Sequence, residues 1–165
     1  MKSVIAVYVE NKYGVLARVC GLFLRRGFNI DSLTVSETEE EGYSRITLTT
    51  GDDKATLKQL VRQLEKLHNV KKVQVFNKET TVEHELLLVK IKNTEKNRSE
   101  VVAVASIYDA KIVDYTNDAI MIEVTASVSK LNAFIEVIKP MGIVEMCRTG
   151  VIALSRGNET LKDHK

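Results

Sequence analysis

The feature that most constrains this chain is an order of six elements that occurs twice. In the first pass, residues 3–9 alternate as a strand, with Ile5, Val7 and Val9 on one face. Val15, Val19, Leu22 and Phe23 then recur at helical spacing over 15–26, and Gly27 closes that helix as a C-terminal glycine does. Residues 29–37 form the next strand, and Thr38-Glu39-Glu40-Glu41-Gly42 makes a charged turn. Residues 43–50 alternate, with Ile46 and Leu48 inward and Arg45, Thr47 and Thr49 outward. After Gly51, either Asp52 or Asp53 caps a second helix over 54–67, striped by Leu57, Leu60, Val61 and Leu64. A strand over 70–76 ends the pass. The order β-α-β-β-α-β is the split βαβ layout, which puts four antiparallel strands in one sheet and both helices on one face.

The second pass follows a polar linker over 77–82. It runs as a strand (85–91), a helix (99–109), a strand pair (111–116 and 119–125), a helix (128–139) and a last long strand (143–155). Leu131, Phe134, Ile135 and Ile138 carry the second helix, and Pro140-Met141-Gly142 stops it. Such self-similarity predicts two like units in tandem. The fold class is therefore α+β, two tandem ferredoxin-like βαββαβ units at 1–77 and 83–157. A polar tail over 158–165 is expected to be disordered. On the first strand the second face, Val4, Ala6 and Tyr8, is also largely apolar. Helices on one side only would leave that face wet, so another domain or subunit is expected to cover it.

Charge narrows the function. The net charge is +2 with both signs interspersed, 12 basic and 9 acidic side chains before residue 78 and 12 and 13 from residue 78 on. No basic stripe marks a nucleic-acid or anionic-membrane partner. No apolar run approaches a membrane span and no apolar leader is visible, so a cytoplasmic location is expected. Cys20 and Cys147 form no CxxC, and Cys20 reads as a small core residue inside a helix. No Walker A, GxGxxG, HExxH or GxSxG motif occurs, and His68, His84 and His164 are scattered. The same layout hosts RNA-binding domains, but those stack bases on aromatics of the central strands. Here residues 43–49 offer only Tyr43 in a chain that is 5% aromatic. An acylphosphatase needs an arginine in a phosphate-cradling loop after the first strand, and Arg18 lies a turn inside the helix instead. The absence of a catalytic constellation favours a binding or regulatory module.

One loop carries chemistry of its own. Asn11-Lys12-Tyr13-Gly14 joins the first strand to the first helix. The first amides of a helix lack intrahelical partners and carry partial positive charge, a ready site for a carboxylate. Gly14 can adopt backbone conformations closed to other residues, and its missing side chain lets a ligand approach. Asn11 supplies a donor and an acceptor. Spacing alone leaves a plainer reading equally open, in which Gly14 only turns the chain and Asn11 only caps the helix.

The stretch ENKYGVLARVCGLFLRRGFNIDSLTV, from Glu10 to Val35, resembles the ACT-domain signature of the regulatory small subunits of acetolactate synthase (acetohydroxyacid synthase). Residues 85–90 (ELLLVK) and 148–157 (RTGVIALSRG) are similar to the same family, and the likeness spans nearly the whole chain. The resemblance implies that the first unit is an ACT domain and that the chain has no catalytic residues. It implies a large catalytic partner that carries thiamine diphosphate, magnesium and FAD, with no cofactor or metal in this chain. That transferase complex joins two pyruvates, or pyruvate and 2-oxobutyrate, in branched-chain amino-acid biosynthesis. The small subunit raises activity and confers feedback inhibition, usually by valine. ACT units pair into a homodimer with the effector between them. By position, Asn11, Gly14, Val15 and Leu16 would form one half of the pocket, and Asn29 and Ile30 of a partner chain the other. Ala17 stands where many relatives have serine. The second unit has Lys92-Asn93-Thr94-Glu95 and no glycine after its first strand, so no effector site is expected there. The alternative is a free-standing ACT-type amino-acid sensor acting on another enzyme.

Overall fold

The computed structural model describes residues 2–51 and 53–163, with Lys54 described in its backbone alone. Asp52, one of the two candidate caps, and His164 and Lys165 of the expected tail lie outside the described residues. Contacts divide the chain into two units, Met1–Glu83 with Gly150–Lys165, and His84–Thr149.

In the first unit, β1 (Ser3–Glu10), α1 (Val15–Arg26), β2 (Ser32–Glu37), β3 (Tyr43–Thr50), α2 (Lys54–Leu64) and β4 (Val70–Val75) follow one another. The strands lie in the order β2-β3-β1-β4, all neighbours antiparallel. Ile5, Val7, Val9, Ile46 and Leu48 from the sheet meet Val15, Val19, Leu22, Phe23, Leu57, Leu60 and Leu64 from the helices in one core. Asp53 caps α2 by accepting from the amides of Ala55 (2.8 Å) and Thr56 (2.9 Å). Gly27 ends α1 in the left-handed conformation, as its position predicts. β2 begins at Ser32 rather than at 29, so Asn29, Ile30 and Asp31 belong to the connection. Cys20 is only half-buried.

The far face of this sheet corrects four expectations. Val4, Ala6, Tyr8 and Gln74 are buried, and so are Thr47 and Thr49, which alternation places outward. What covers them is the chain's own end. Arg45 Nη2 donates to the carbonyl of Ala153 (2.7 Å) and Gln74 Nε2 to Ser155 Oγ (2.8 Å). Val151, Ala153 and Leu161 are buried. Lys162 pairs with Glu39 and Glu40 and lies 5.3 Å from the centre of the Tyr8 ring. The expected strand over 143–155 is therefore two strands, β8 (Ile143–Arg148) and β9 (Ile152–Ser155), broken at Gly150 with φ +84°. Residues 158–163 are no free tail, because one apolar side chain, Leu161, is 7% exposed.

The second unit repeats the layout with β5 (Thr81–Lys92), α3 (Arg98–Ile107), β6 (Lys111–Tyr115), β7 (Ala119–Ala126), α4 (Val128–Ile138) and β8. Its order is β6-β7-β5-β8, the same as in the first unit. Leu87, Val89, Ile91, Ile120, Ile122 and Val124 meet Val101, Val104, Leu131, Phe134 and Ile138 in its core. β5 starts at 81, shortening the expected linker, because β9 pairs with it; the Arg156 amide donates to the Thr80 carbonyl (2.8 Å). Arg148 holds the buried Glu85 carboxylate through both Nε (2.9 Å) and Nη2 (2.6 Å). Among the described residues no helix is long and apolar enough to cross a membrane.

The break at Gly150 is testable. A Cβ there would lie 3.0 Å from Thr34 Oγ1 and 3.3 Å from Ser32 Cβ, at positive φ. Gly150→Ala should cost about 2–4 kcal/mol of stability from strain and overpacking together. Gly157→Ala, at φ +74° with nothing within 4 Å, should cost only the ~1 kcal/mol of a left-handed alanine. Urea midpoints measure both, and equal shifts would mean that Gly150 is not held against β2.

Candidate functional site

The loop after β1 is built from backbone hydrogen bonds first. The Glu10 amide donates to the Asn69 carbonyl (2.9 Å), and the Asn11 amide to that of Gly42 (2.7 Å). Lys12 and Val15 close the turn through Lys12 N to Glu10 O (2.9 Å) and Val15 N to Lys12 O (3.3 Å). Arg18 N to Gly14 O (3.1 Å) is the bond that opens the helix. That geometry leaves the amides of Leu16 and Ala17 in the first turn without an intrahelical acceptor. Among the described residues no side chain caps them. Gly14 stands at φ +80°, ψ −4°, and a Cβ there would meet nothing within 4 Å. Open space therefore lies over bare amides. The plainer reading of Asn11 as the cap does not hold, because the capping position is Gly14; Asn11 Nδ2 donates to Glu37 Oε1 (3.2 Å).

The other named residues divide by position. Val15 is 4% exposed and belongs to the core, so only its backbone faces the loop, whereas Leu16 is 40% exposed. Asn29 is exposed and donates to Asp31 Oδ1 (3.0 Å); Ile30 packs partly against the core. Between the two groups stands α1, whose 12 residues span ~18 Å. One chain does not bring Asn11, Gly14 and Leu16 together with Asn29 and Ile30; a second copy would have to.

A charged network not evident from the sequence holds the loop. The Glu10 carboxylate accepts from Lys71 (2.6 Å), Lys12 (2.9 Å) and Asn69 Nδ2 (2.9 Å), while Asn69 Oδ1 accepts from Arg18 Nη1 (2.9 Å). Hydrogen bonds from Lys71 above all, then Lys12 and Asn69, hold the Glu10 carboxyl at about 2, below its ordinary 4.5. Glu37 and Asn69 lie 26 and 58 residues from Asn11 in sequence, and no local pattern marks either. The corresponding turn of the second unit is closed. Asn93 Nδ2 donates to the Thr116 carbonyl (2.6 Å) and its Oδ1 accepts from Arg98 Nε (3.0 Å). Asn97 Nδ2 donates to the carbonyls of Lys92 (2.9 Å) and Met141 (2.8 Å). Among the described residues no cluster of three or more His, Cys, Asp or Glu could hold a metal ion.

Comparison with known proteins decides the family. Residues 5–72 match a model described as the AHAS small subunit-like ACT domain, and residues 84–157 one described as the small subunit of acetolactate synthase. A probable acetolactate synthase small subunit of Archaeoglobus fulgidus is 46% identical over 159 residues, 96% of this chain and 99% of that protein. The chain belongs to the acetolactate synthase small-subunit family. The acetolactate synthase small subunit of Mycolicibacterium smegmatis is 40% identical over 153 residues, covering 93% of this chain and 90% of that one. The crystal structure of the Thermotoga maritima small subunit superimposes with a TM-score of 0.89 at 35% identity, over 96% of this chain and 99% of that one. The first unit is thus an ACT domain of the small-subunit type. All six effector-site candidates, Asn11, Gly14, Val15, Leu16, Asn29 and Ile30, lie within the matched span 5–72.

The Glu10 network has a pH signature. A carboxyl whose pKa is depressed on folding stabilises the fold above its unfolded value and loses that contribution as pH falls. Wild type should exceed Glu10→Gln in stability above pH 4.5, and the margin should close between pH 4.5 and about 2. Carboxyl 13C shifts of Glu10 against pH give the midpoint directly; a value near 4.5 would mean the network does not form in solution.

Proposed function

We propose that this chain is the regulatory subunit of an acetolactate synthase, activating a thiamine-diphosphate-dependent large subunit and making it sensitive to a branched-chain amino acid, valine first. Thiamine diphosphate, magnesium and FAD belong to the large subunit in this reading, and the complex works in the cytoplasm. The observation that carries it is the open, uncapped start of α1 under Gly14 in the ACT unit. The effector carboxylate sits on the amides of Leu16 and Ala17, where the helix dipole favours an anion. Asn11 meets the polar end. The effector side chain rests on Leu16 of one copy and Ile30 of the other, and Asn29 of the second copy closes the site.

Pairing is part of this reading, and the placement of its two halves at opposite ends of α1 supports it. The covered far face of β1 is not a reason for it, because residues 150–163 already occupy that face. An effector shared by two copies favours one arrangement of the pair, and its differential affinity sets the regulatory shift, typically ~1–3 kcal/mol. Valine, leucine and isoleucine differ by one or two methylenes, so selectivity rests on about 1–3 kcal/mol.

Gly14→Asp tests the site. Aspartate tolerates positive φ better than most residues and suits a helix N-terminus, so the variant should fold and still activate the large subunit. It fills the open space and sets a negative charge where the effector carboxylate sits. A loss of ~3 kcal/mol weakens valine by more than a hundredfold. Asn29→Ala should lose less, ~1–3 kcal/mol. Acetolactate formation by the reconstituted complex, with and without valine, is the assay. Full valine sensitivity in Gly14→Asp would move the pocket elsewhere, and lost activation would make the loop structural. Sedimentation of the isolated chain with valine present should give a dimer at micromolar concentration; a monomer would remove the shared pocket.

A further inference from the structure

The first unit has a second concavity, away from Gly14. A groove of about 590 Å³ runs between the end of β2 and the returning segment 154–162. Its floor is the far face of the sheet, with Arg45 and Gln74. Its walls include Ser36, Glu37 and Glu39 on one side and Ser155 on the other. The volume is that of ordinary small-molecule sites.

Arg45 is the telling group. It is half-buried, and Nη2 donates to the Ala153 carbonyl while the guanidinium lies 5.7 Å from the centre of the Phe76 ring. Among the described residues it forms no ion pair. Lys2, Lys12, Lys71 and Lys162 of the same unit each have a carboxylate, on Asp31, Glu10, Glu10 and the Glu39/Glu40 pair. Partial burial disfavours its charge, Glu39 offsets that only through space rather than by direct contact, and among the described residues only Nη2 of the five-donor guanidinium has a hydrogen-bond partner. Its planar fork matches a carboxylate in two parallel hydrogen bonds. The glutamates on the wall repel a second negative charge and accept a hydrogen bond from a donor group.

We propose that this groove is a binding site for a small monocarboxylate that also carries a hydroxyl or amino group. The carboxylate pairs with Arg45, and the donor group faces Glu37 and Glu39. Polyanions such as nucleotides are excluded by those same glutamates. The site shares Glu37 with the Asn11 loop but does not rest on the valine reading.

Calorimetric titration of the full chain with glycolate, L-lactate, 4-aminobutanoate, inorganic phosphate and ADP tests it. At least one of the three carboxylates should bind saturably at millimolar concentration or below, and phosphate and ADP more weakly. Arg45→Gln should weaken that binding at least about tenfold, and Arg45→Lys should fall between. Because Arg45 also anchors Ala153, Ser36→Trp provides a second variant. It keeps the arginine, changes an exposed residue, fills the groove and should likewise abolish binding. Gly14→Asp should leave it unchanged, which separates this site from the effector pocket. The proposal falls if no carboxylate saturates, if Ser36→Trp binds as wild type does, if phosphate or ADP binds tighter, or if Gly14→Asp alone removes binding.

Discussion

A four-stranded sheet with both helices on one face has to solve the other face. In the first unit that constraint governs much of the rest. β1 is the central strand, flanked by β3 and β4, and it is apolar on both sides. Left wet, Val4, Ala6 and Tyr8 would forgo on the order of 1 kcal/mol or more apiece. The chain's own end supplies the cover. It brings Val151, Ala153 and Leu161 to the face and satisfies the polar groups there with Arg45–Ala153 and Gln74–Ser155 hydrogen bonds. The unit is therefore discontinuous in sequence, and residues 150–163 are part of its fold.

That cover also ties the Asn11–Gly14 loop to the end of the chain. The turn over 38–42 is gripped twice. On one side Lys162 holds Glu39 and Glu40, with Glu40 also accepting from the Tyr8 hydroxyl (2.6 Å). On the other, the Gly42 carbonyl receives the Asn11 amide and Glu37 receives the Asn11 side chain. A change at Asn11 thus bears on a turn that the C-terminal segment also holds. Coupling needs an element that two sites bias together, and this turn is physically placed to be one.

Local structure was legible in the sequence because it rests on local causes. The span of α1 follows from helical periodicity between two glycines, and β3 from strict alternation. Both match the structure to the residue. Helix α2 ends three residues before the expected 67, since its stripe stops at Leu64. What stayed hidden is tertiary. A single leucine in a polar stretch gave no hint that 158–163 would pack. Nor does alternation reveal that Thr47 and Thr49 face protein rather than water. At the site, the loop and its glycine could be read from residue types, but Val15 turning into the core could not be separated from Leu16 turning out. The Glu10–Asn69–Arg18 support joins residues that only the fold brings together.

The two units share a layout and differ where a ligand could enter. At the strand-to-helix turn of the first, Gly14 leaves space, and the asparagine reaches across to another strand rather than to the helix. At the same turn of the second, Asn93 and Asn97 commit their side chains to five internal partners: the carbonyls of Thr116, Lys92 and Met141, the guanidinium of Arg98 and the Thr94 amide. A turn whose polar groups are met from within is a good connector and a poor receptor, because a ligand would have to replace bonds already made. Neither α1 nor α3 has a side-chain cap, so the difference lies in the loop before the helix: Gly14 leaves it open in the first unit and the two asparagines close it in the second. A repeated fold can therefore open this turn in one copy and close it in the other through two asparagines and a glycine, with the strand order around them unchanged.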